Sequence, residues 1–478
     1  MSSVSCFRAT GSAEAATASR IANPRSRLWI VGVSCVGFPL MIGRNAHPRI
    51  PLHFDSISRP GPTSPAGPSK MLSQMQRALR IVHSGWKARI LTTGPEWVKQ
   101  MRVSRRVFAR SMSAAAALAA SGRWNPLVAP ANVAAQPVAL KDLVPNGWLI
   151  GVAINQNQSD GRDGVAVDLV TRQFNAISPE NLLKFQSLHP QPDRFTFDAQ
   201  DRYVAFGLDR GMAVIGHTLV WHSQTPAWVW AATDGGLADR ATMLERMRMH
   251  IATVVGRYKG KIRGWDVVNE ALNDDGTLRD SPWRRGIGDD YIAKAFEFAR
   301  EADPGAELYY NDYNLATRPA KRAGAIRIIK ELQQRGLRID AVGEQGHWRL
   351  ESPTTTEIDQ TITELRATGV KVMITELDVN LLPPTPPPAP GQPREPAANP
   401  YVDGLPDDVQ QALARCYANA FRVFLKHRDD ITRVTFWGVS DGDSWLNRGR
   451  MNYPLLWDRQ RQPKAAFEEV TKVLMTKS

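Results

Sequence analysis

From Leu140 onward the chain alternates between two hydrophobic rhythms. Short runs of β-branched and aromatic residues with a two-residue repeat read as strands; stretches with apolar residues every three or four positions read as amphipathic helices. The strand candidates are LIGVAIN (149–155), NAISPEN from Asn175, AVIGHTLVW (213–221), the run ending in WDVVNE (265–270), ELYYNDYN (307–314), IDAVGEQGH (339–347), GVKVMITELDVNLL (369–382) and RVTFWGVSD (433–441). Helices are predicted over 165–174, 198–210, 239–258, 289–302, 318–335, 356–368, 405–426 and 464–475. Eight strands alternating with eight helices is the count of a (β/α)8 TIM barrel, an α/β fold, over 140–475. An open doubly wound sheet is the alternative, but no Gly-rich phosphate loop follows an early strand.

Two of these strands end in an acid. Along KIRGWDVVNEAL (261–272), strict alternation places Ile262, Gly264, Asp266, Val268 and Glu270 on one face; along GVKVMITELDVNLL it groups Val372, Ile374, Glu376 and Asp378. A carboxylate at the tip of an apolar strand is costly unless it is hydrogen-bonded or serves chemistry. Either glutamate alone fits a helix cap or an arginine partner. In a parallel barrel both reach one rim, where barrel enzymes place their chemistry, and one carboxylic acid facing one carboxylate is what glycoside hydrolysis requires.

The other strand ends carry polar and aromatic side chains: Glu180, Asn181 and Lys184; His217, Trp221, His222, Gln224 and Trp228; Asn269; Asn311, Tyr313 and Asn314; Gln345 and His347; Asp378; Trp437, Asp441, Asp443 and Trp445. Indole faces stack on the C–H face of a pyranose while amides and carboxylates bond its hydroxyls, so this rim suits a sugar. Trp265 and Trp283 read as core. The Pro-rich run 381–400 cannot be helical and reads as a surface excursion on the same rim.

Charge changes this picture only at the front of the chain. The formal charge of +13 is carried by residues 1–135, which hold 18 of the 60 Lys and Arg but only Glu14, Asp55 and Glu96 of the 47 acids. The remainder has no basic stripe with interleaved aromatics, so nucleic acid is excluded as a partner. Residues 1–100 are breaker-dense and predicted to be disordered or a spurious extension. Residues 101–135, with Arg105, Arg106, Phe108, an Ala-rich stretch and Val133-Ala134-Ala135, have the form of a twin-arginine export signal. The expectation is a translation start near Met101 and a periplasmic or extracellular product. The apolar run Leu28–Ile42 is broken and too short to span a bilayer, so no stable membrane association is expected. Cys416 is the one cysteine of the body and reads as a small buried hydrophobe. No HExxH or paired-His spacing exists, so neither metal nor cofactor is expected.

FNAISPENLLKF, HTLVWHSQTPAW, WDVVNE, NDYN, GEQGH, TELD and FWGVSDGDSW, in this order, resemble the successive signatures of glycoside hydrolase family 10, the endo-β-1,4-xylanases. The resemblance implies hydrolysis of xylan or xylo-oligosaccharides with retention of configuration, by a protein expected to be monomeric. It implies Glu270 as acid/base and Glu376 as nucleophile, with Asn269 on the sugar 2-hydroxyl and His347, oriented by Asp378, on the nucleophile. Glu180, Asn181, Lys184, His217 and Gln224 would line the non-reducing side, Trp221, Trp437 and Trp445 the aromatic walls, and Tyr313 and Gln345 the rest of the cleft. Phe185 stands where a Trp is common, and the Pro-rich insertion is long. A β-1,4-glucanase, with Trp445 and Lys184 as the wall that admits or blocks a C6 group, and a non-catalytic xylan-binding barrel are the competing readings.

Overall fold

The computed structural model describes residues 138–384 and 397–476; the leader, the twin-arginine-like segment and most of the Pro-rich run lie outside the described residues. Among the described residues there are nine strands: β1 (Leu149–Ile154), β2 (Ala176–Pro179), β3 (Ala213–Trp221), β4 (Gly264–Asn269), β5 (Glu307–Asp312), β6 (Ala341–Glu344), β7 (His347–Arg349), β8 (Lys371–Asn380) and β9 (Ile431–Phe436). Eight of them form a parallel ring, β1 to β6 in sequence and then β8, β9 and back to β1, so the sheet is the predicted closed (β/α)8 barrel. Three-residue β7 resumes the line of β6 after Gln345 and Gly346 and pairs with the upper part of β8.

The predicted helices follow their strands: α1 (Gly164–Gln173), α2 (Asp198–Asp209), α3 (Arg240–Arg257), α4 (Tyr291–Ala302), α5 (Pro319–Gln334), α6 (Thr355–Arg366), α7 (Asp407–Lys426) and α8 (Ala465–Met475). Their starts are written in the sequence. Asp163 and Asp239 accept from the backbone N–H three residues on, Thr354 and Glu357 satisfy each other's backbone reciprocally, and α5 opens on Pro319. Among the described residues no helix is long and apolar enough to cross a membrane.

One large apolar cluster fills the space between barrel wall and helices, and it includes Trp265 and Trp283, both buried as expected. Cys416 on α7 is half-buried against it, and burial pushes its thiol up to about 11. A small second cluster, Tyr309, Ala341 and Met373, sits apart beside the buried Arg433, whose guanidinium lies 5.7 Å from the Tyr309 ring.

The strict alternation expected along the two acid-bearing strands does not hold. In β4, Asp266 pairs with Tyr309 of β5 and Val268 already with Tyr310, so Val267 is an extra residue. In β8, Ile374 pairs with Val434 and Leu377 with Phe436, so Thr375 and Glu376 stand opposite one residue of β9. Each is a β-bulge, and each reverses the face on which later residues fall. Val268, grouped with Glu270 by alternation, packs into the main core, and Asn269 takes the inward position instead. Val372 and Ile374 likewise belong to the main core while Glu376 and Asp378 turn to the cleft side.

Candidate active site

Glu376 sits in β8 immediately after this bulge. Its Oε1 accepts from Asn311 Nδ2 at 2.8 Å, and its Oε2 lies 3.1 Å from His347 Nε2. The other nitrogen of His347 is 2.9 Å from Asp378 Oδ1, whose Oδ2 accepts from Trp445 Nε1 at 2.8 Å. Burial opposes a charge on His347, but Asp378 and Glu376 outweigh it and push its pKa up to about 10, so the ring is an imidazolium at neutral pH. Burial also tends to raise the Glu376 pKa; the hydrogen bond from His347, with His217 and Lys184 nearby, holds it below the ordinary glutamate value. Glu376 is thus a buried carboxylate kept ionised by cations.

Glu270 follows the last residue of β4 in a left-handed conformation, φ 55°. Its N–H donates to the Asn311 carbonyl at 2.9 Å. Its carboxyl group meets neutral donors: Trp221 Nε1 reaches Oε2 at 2.9 Å and Gln345 Nε2 reaches Oε1 at 3.0 Å. Gln224 and Asn314, which also line the cleft, share the left-handed region at φ 45° and 61°. Strained backbone of this kind gathers at sites that must aim a side chain.

Amide side chains join the two acids. Asn269 Oδ1 accepts from Asn311 Nδ2 at 2.9 Å and from Gln345 Nε2 at 3.3 Å, while those same nitrogens bond Glu376 and Glu270 respectively. With its oxygen taken, Asn269 keeps its amide N–H groups for a ligand. Asn311 fits because residue 343 is glycine: a Cβ there would stand 2.2 Å from Asn311 Oδ1.

The cleft around these groups has a volume of about 530 Å³ and is lined by every predicted site residue except Asp378, which stands behind His347, with Asn314 in addition. On one side Lys184 Nζ donates to Asn181 Oδ1 (3.1 Å) and Gln224 Oε1 (2.9 Å), and sits 5.0 Å from the Trp221 ring centroid. Burial lowers the Lys184 pKa against the pull of Glu376, Glu180 and Glu270; burial raises that of Glu180, with Lys184 opposing. His217 is fixed by Asp266, 3.0 Å from its Nδ1. Trp437 lies edge-on to His217 and His347, and Trp445 edge-on to His347. Phe185 is buried outside the cleft, stacked on His250 at 3.6 Å. Asp441, another acid at a strand end, is structural: Lys464 Nζ contacts both its oxygens.

Besides Asn314, three contributors were not predicted as site residues. Asn311 was visible as a strand-end amide, but its position between the acids was not. Asp266 is written into WDVVNE as a buried acid next to apolar neighbours. Arg279 lies in the loop after Glu270, where no sequence signal distinguishes it from a surface arginine.

Two carboxyl groups at the C-terminal rim of a (β/α)8 barrel, bridged by amides in a tryptophan-walled cleft, define a glycoside hydrolase. The model of glycosyl hydrolase family 10 matches residues 139–473. Endo-1,4-beta-xylanase A of Xylanibacter ruminicola is 42% identical over 360 residues, covering 72% of this chain and 95% of its own. The endo-1,4-beta-xylanase of Geobacillus stearothermophilus is 40% identical over 341 residues, 70% of this chain and 98% of its own. Among solved structures, a GH10 endoxylanase retrieved from a sugarcane soil metagenome has a TM-score of 0.67 at 42% identity, covering 70% of this chain and 99% of its own. The intracellular xylanase of Thermoanaerobacterium saccharolyticum, in complex with xylotetraose, has a TM-score of 0.62 at 35% identity, covering 69% and 97%. The chain belongs to glycosyl hydrolase family 10.

Proposed function

We propose that this enzyme hydrolyses internal β-1,4-xylosidic bonds of xylan with retention of configuration, Glu376 acting as nucleophile and Glu270 as acid/base. The observation that carries the reading is the contrast in how the two carboxyl groups are held, one by cations and one by neutral donors, across a shared Asn269. A retaining mechanism places such groups about 5 Å apart, too close for an intervening water. Glu376 attacks the anomeric carbon and forms a glycosyl ester while Glu270 gives its proton to the departing oxygen. Glu270, now a carboxylate, takes a proton from water, whose oxygen attacks the same carbon and releases Glu376. Water and two carboxyl groups balance the reaction without a cofactor. The free amide N–H of Asn269 suits the 2-hydroxyl of the reacting sugar, a bond that strengthens as the ring flattens.

The xylan preference rests on the activity named for the relatives and on the wall that Lys184 and Trp445 would present to a C6 hydroxymethyl. Residues 101–135, with the form of a twin-arginine signal, support export to the periplasm or the medium, and the site is complete in one chain, which supports action as a monomer. The test is proton NMR of a xylan digest together with kcat/KM on aryl xylobiosides and cellobiosides. First-formed β-anomers and a xylobioside preference are expected; first-formed α-anomers would refute retention, and equal rates on both glycosides would refute the substrate.

A further inference from the structure

Among the described residues the Arg279 side chain makes three hydrogen bonds, and all of them lie around the proposed acid. Its Nε donates to the Glu270 carbonyl at 3.1 Å, and its Nη2 to the Leu272 carbonyl at 3.2 Å and to the Tyr313 hydroxyl at 2.9 Å. Among the described residues no carboxylate forms an ion pair with it. Other nearby cations do have such partners: Lys321 is 3.0 Å from Asp312 and Arg318 is 3.4 Å from Asp274. The residue whose carbonyl Arg279 grips is Glu270, held at φ 55°, where an L-residue stays only if its surroundings fix it. Tyr313 is fixed twice, at its hydroxyl by Arg279 and across its ring face by Lys321, whose Nζ is 3.3 Å from the centroid.

We infer that Arg279 is a positioning residue for proton donation: one guanidinium fork holds the main chain of the acid and the Tyr313 wall at a fixed spacing. The inference rests on the proposed role of Glu270 and extends it. Glu270 becomes negative as its proton leaves, and a guanidinium bound to its own carbonyl and lacking a carboxylate partner favours that change. Lysine keeps the charge but cannot span carbonyls and hydroxyl together, so the fork and the charge are separable.

The test compares Arg279→Met and Arg279→Lys on two aryl xylobiosides, one with a dinitrophenyl leaving group, which departs without a proton, and one with an unsubstituted phenyl group, which needs one. The ratio of kcat/KM values is read within one preparation, so any misfolded fraction cancels. Arg279→Met is expected to lower the phenyl rate by about 30-fold, as displacement of a catalytic group by a fraction of an ångström does, and the dinitrophenyl rate by less than about 3-fold. Arg279→Lys should fall between Met and wild type. Equal losses on both substrates, or none, would overturn the inference. Glu270→Ala run in parallel separates the two levels. If it lacks leaving-group dependence, the acid assignment fails; if it shows that dependence and Arg279→Met does not, only the role of Arg279 fails.

Discussion

The ends of β4 and β8 present the same side chain in opposite surroundings. At β8, Glu376 lies within the strand, nearly inaccessible, against an imidazolium and within the influence of Lys184. At β4, Glu270 stands one residue beyond the strand, half-exposed, and among the described residues its carboxyl group accepts hydrogen bonds from an indole and an amide. Cationic company fixes one carboxyl in its ionised form. Neutral donors can bond a carboxylate or the carbonyl oxygen of a carboxylic acid, so the contacts of the other carboxyl do not select one form. Under the proposed mechanism two identical side chains take different tasks, set by position relative to the strand end and by the charge of their partners.

The sharpest way to break this contrast is Glu376→Ala. Turnover of xylan should fall by about 10⁵-fold, since nothing replaces the bond-forming group, and azide should not restore a β-configured product; a loss under 100-fold would remove Glu376 from the chemistry. Glu270→Ala should cost about 10³-fold on xylan, the range of general acid catalysis, little on activated aryl glycosides, and should be accelerated by azide with a β-glycosyl azide as product. Loss independent of the leaving group would contradict the assignment.

His347→Gln should lower kcat by about 100-fold, as loss of one preorganised donor does, measured on an aryl xylobioside. The same histidine contributes stability through its raised pKa. That contribution is complete below 6.5 and is lost as pH rises through about 10, so the melting temperature of wild type, but not of the variant, should drop across that window.

The smallest effect lies behind the cleft. His250 is fully buried, neither ring nitrogen has a hydrogen-bond partner among the described residues, and burial, aided by His189, depresses its pKa well below 6.5. A depressed histidine pKa gives stability that is present above 6.5 and lost as pH falls, because the unfolded chain takes up the proton first. His250→Phe, which keeps the stack on Phe185, should therefore melt on the order of 2 °C above wild type at pH 5, with the gap narrowing at pH 8. Differential scanning fluorimetry measures it; a gap that is the same at both pH values would show that packing alone is responsible.

The barrel was legible because its two rhythms alternate without exception, and the cleft because polar side chains ended strands that were otherwise apolar. Parity along β4 and β8 was not. Val267 and Val268 are chemically equal in a strand buried on both faces, so no break in alternation marks which of them goes unpaired. The two-residue rule therefore grouped Val268 with Glu270 and Ile374 with Glu376, although packing separates each pair. Asn311 was recognised only as a rim amide, because its role depends on the space left by Gly343 on the neighbouring strand. Arg279 lay in a loop whose hydrogen bonds are invisible to periodicity.

Between β6 and β7 the strand is interrupted at Gln345 and Gly346, whose carbonyls still accept from the Glu376 and Asp378 N–H groups of β8, and this junction has a mechanical consequence. Gln345 reaches Glu270 and His347 reaches Glu376, with only Gly346 between them, at φ 86° and with a would-be Cβ 3.0 Å from Ile374. A disturbance at that glycine would be common-mode, reaching Glu270 and Glu376 together. One at Trp221, which bonds Glu270 directly, or at Asp378, which bonds the His347 that supports Glu376, would be differential and reach a single acid. Three consecutive residues therefore act as the tie-rod that keeps both carboxyl groups in register.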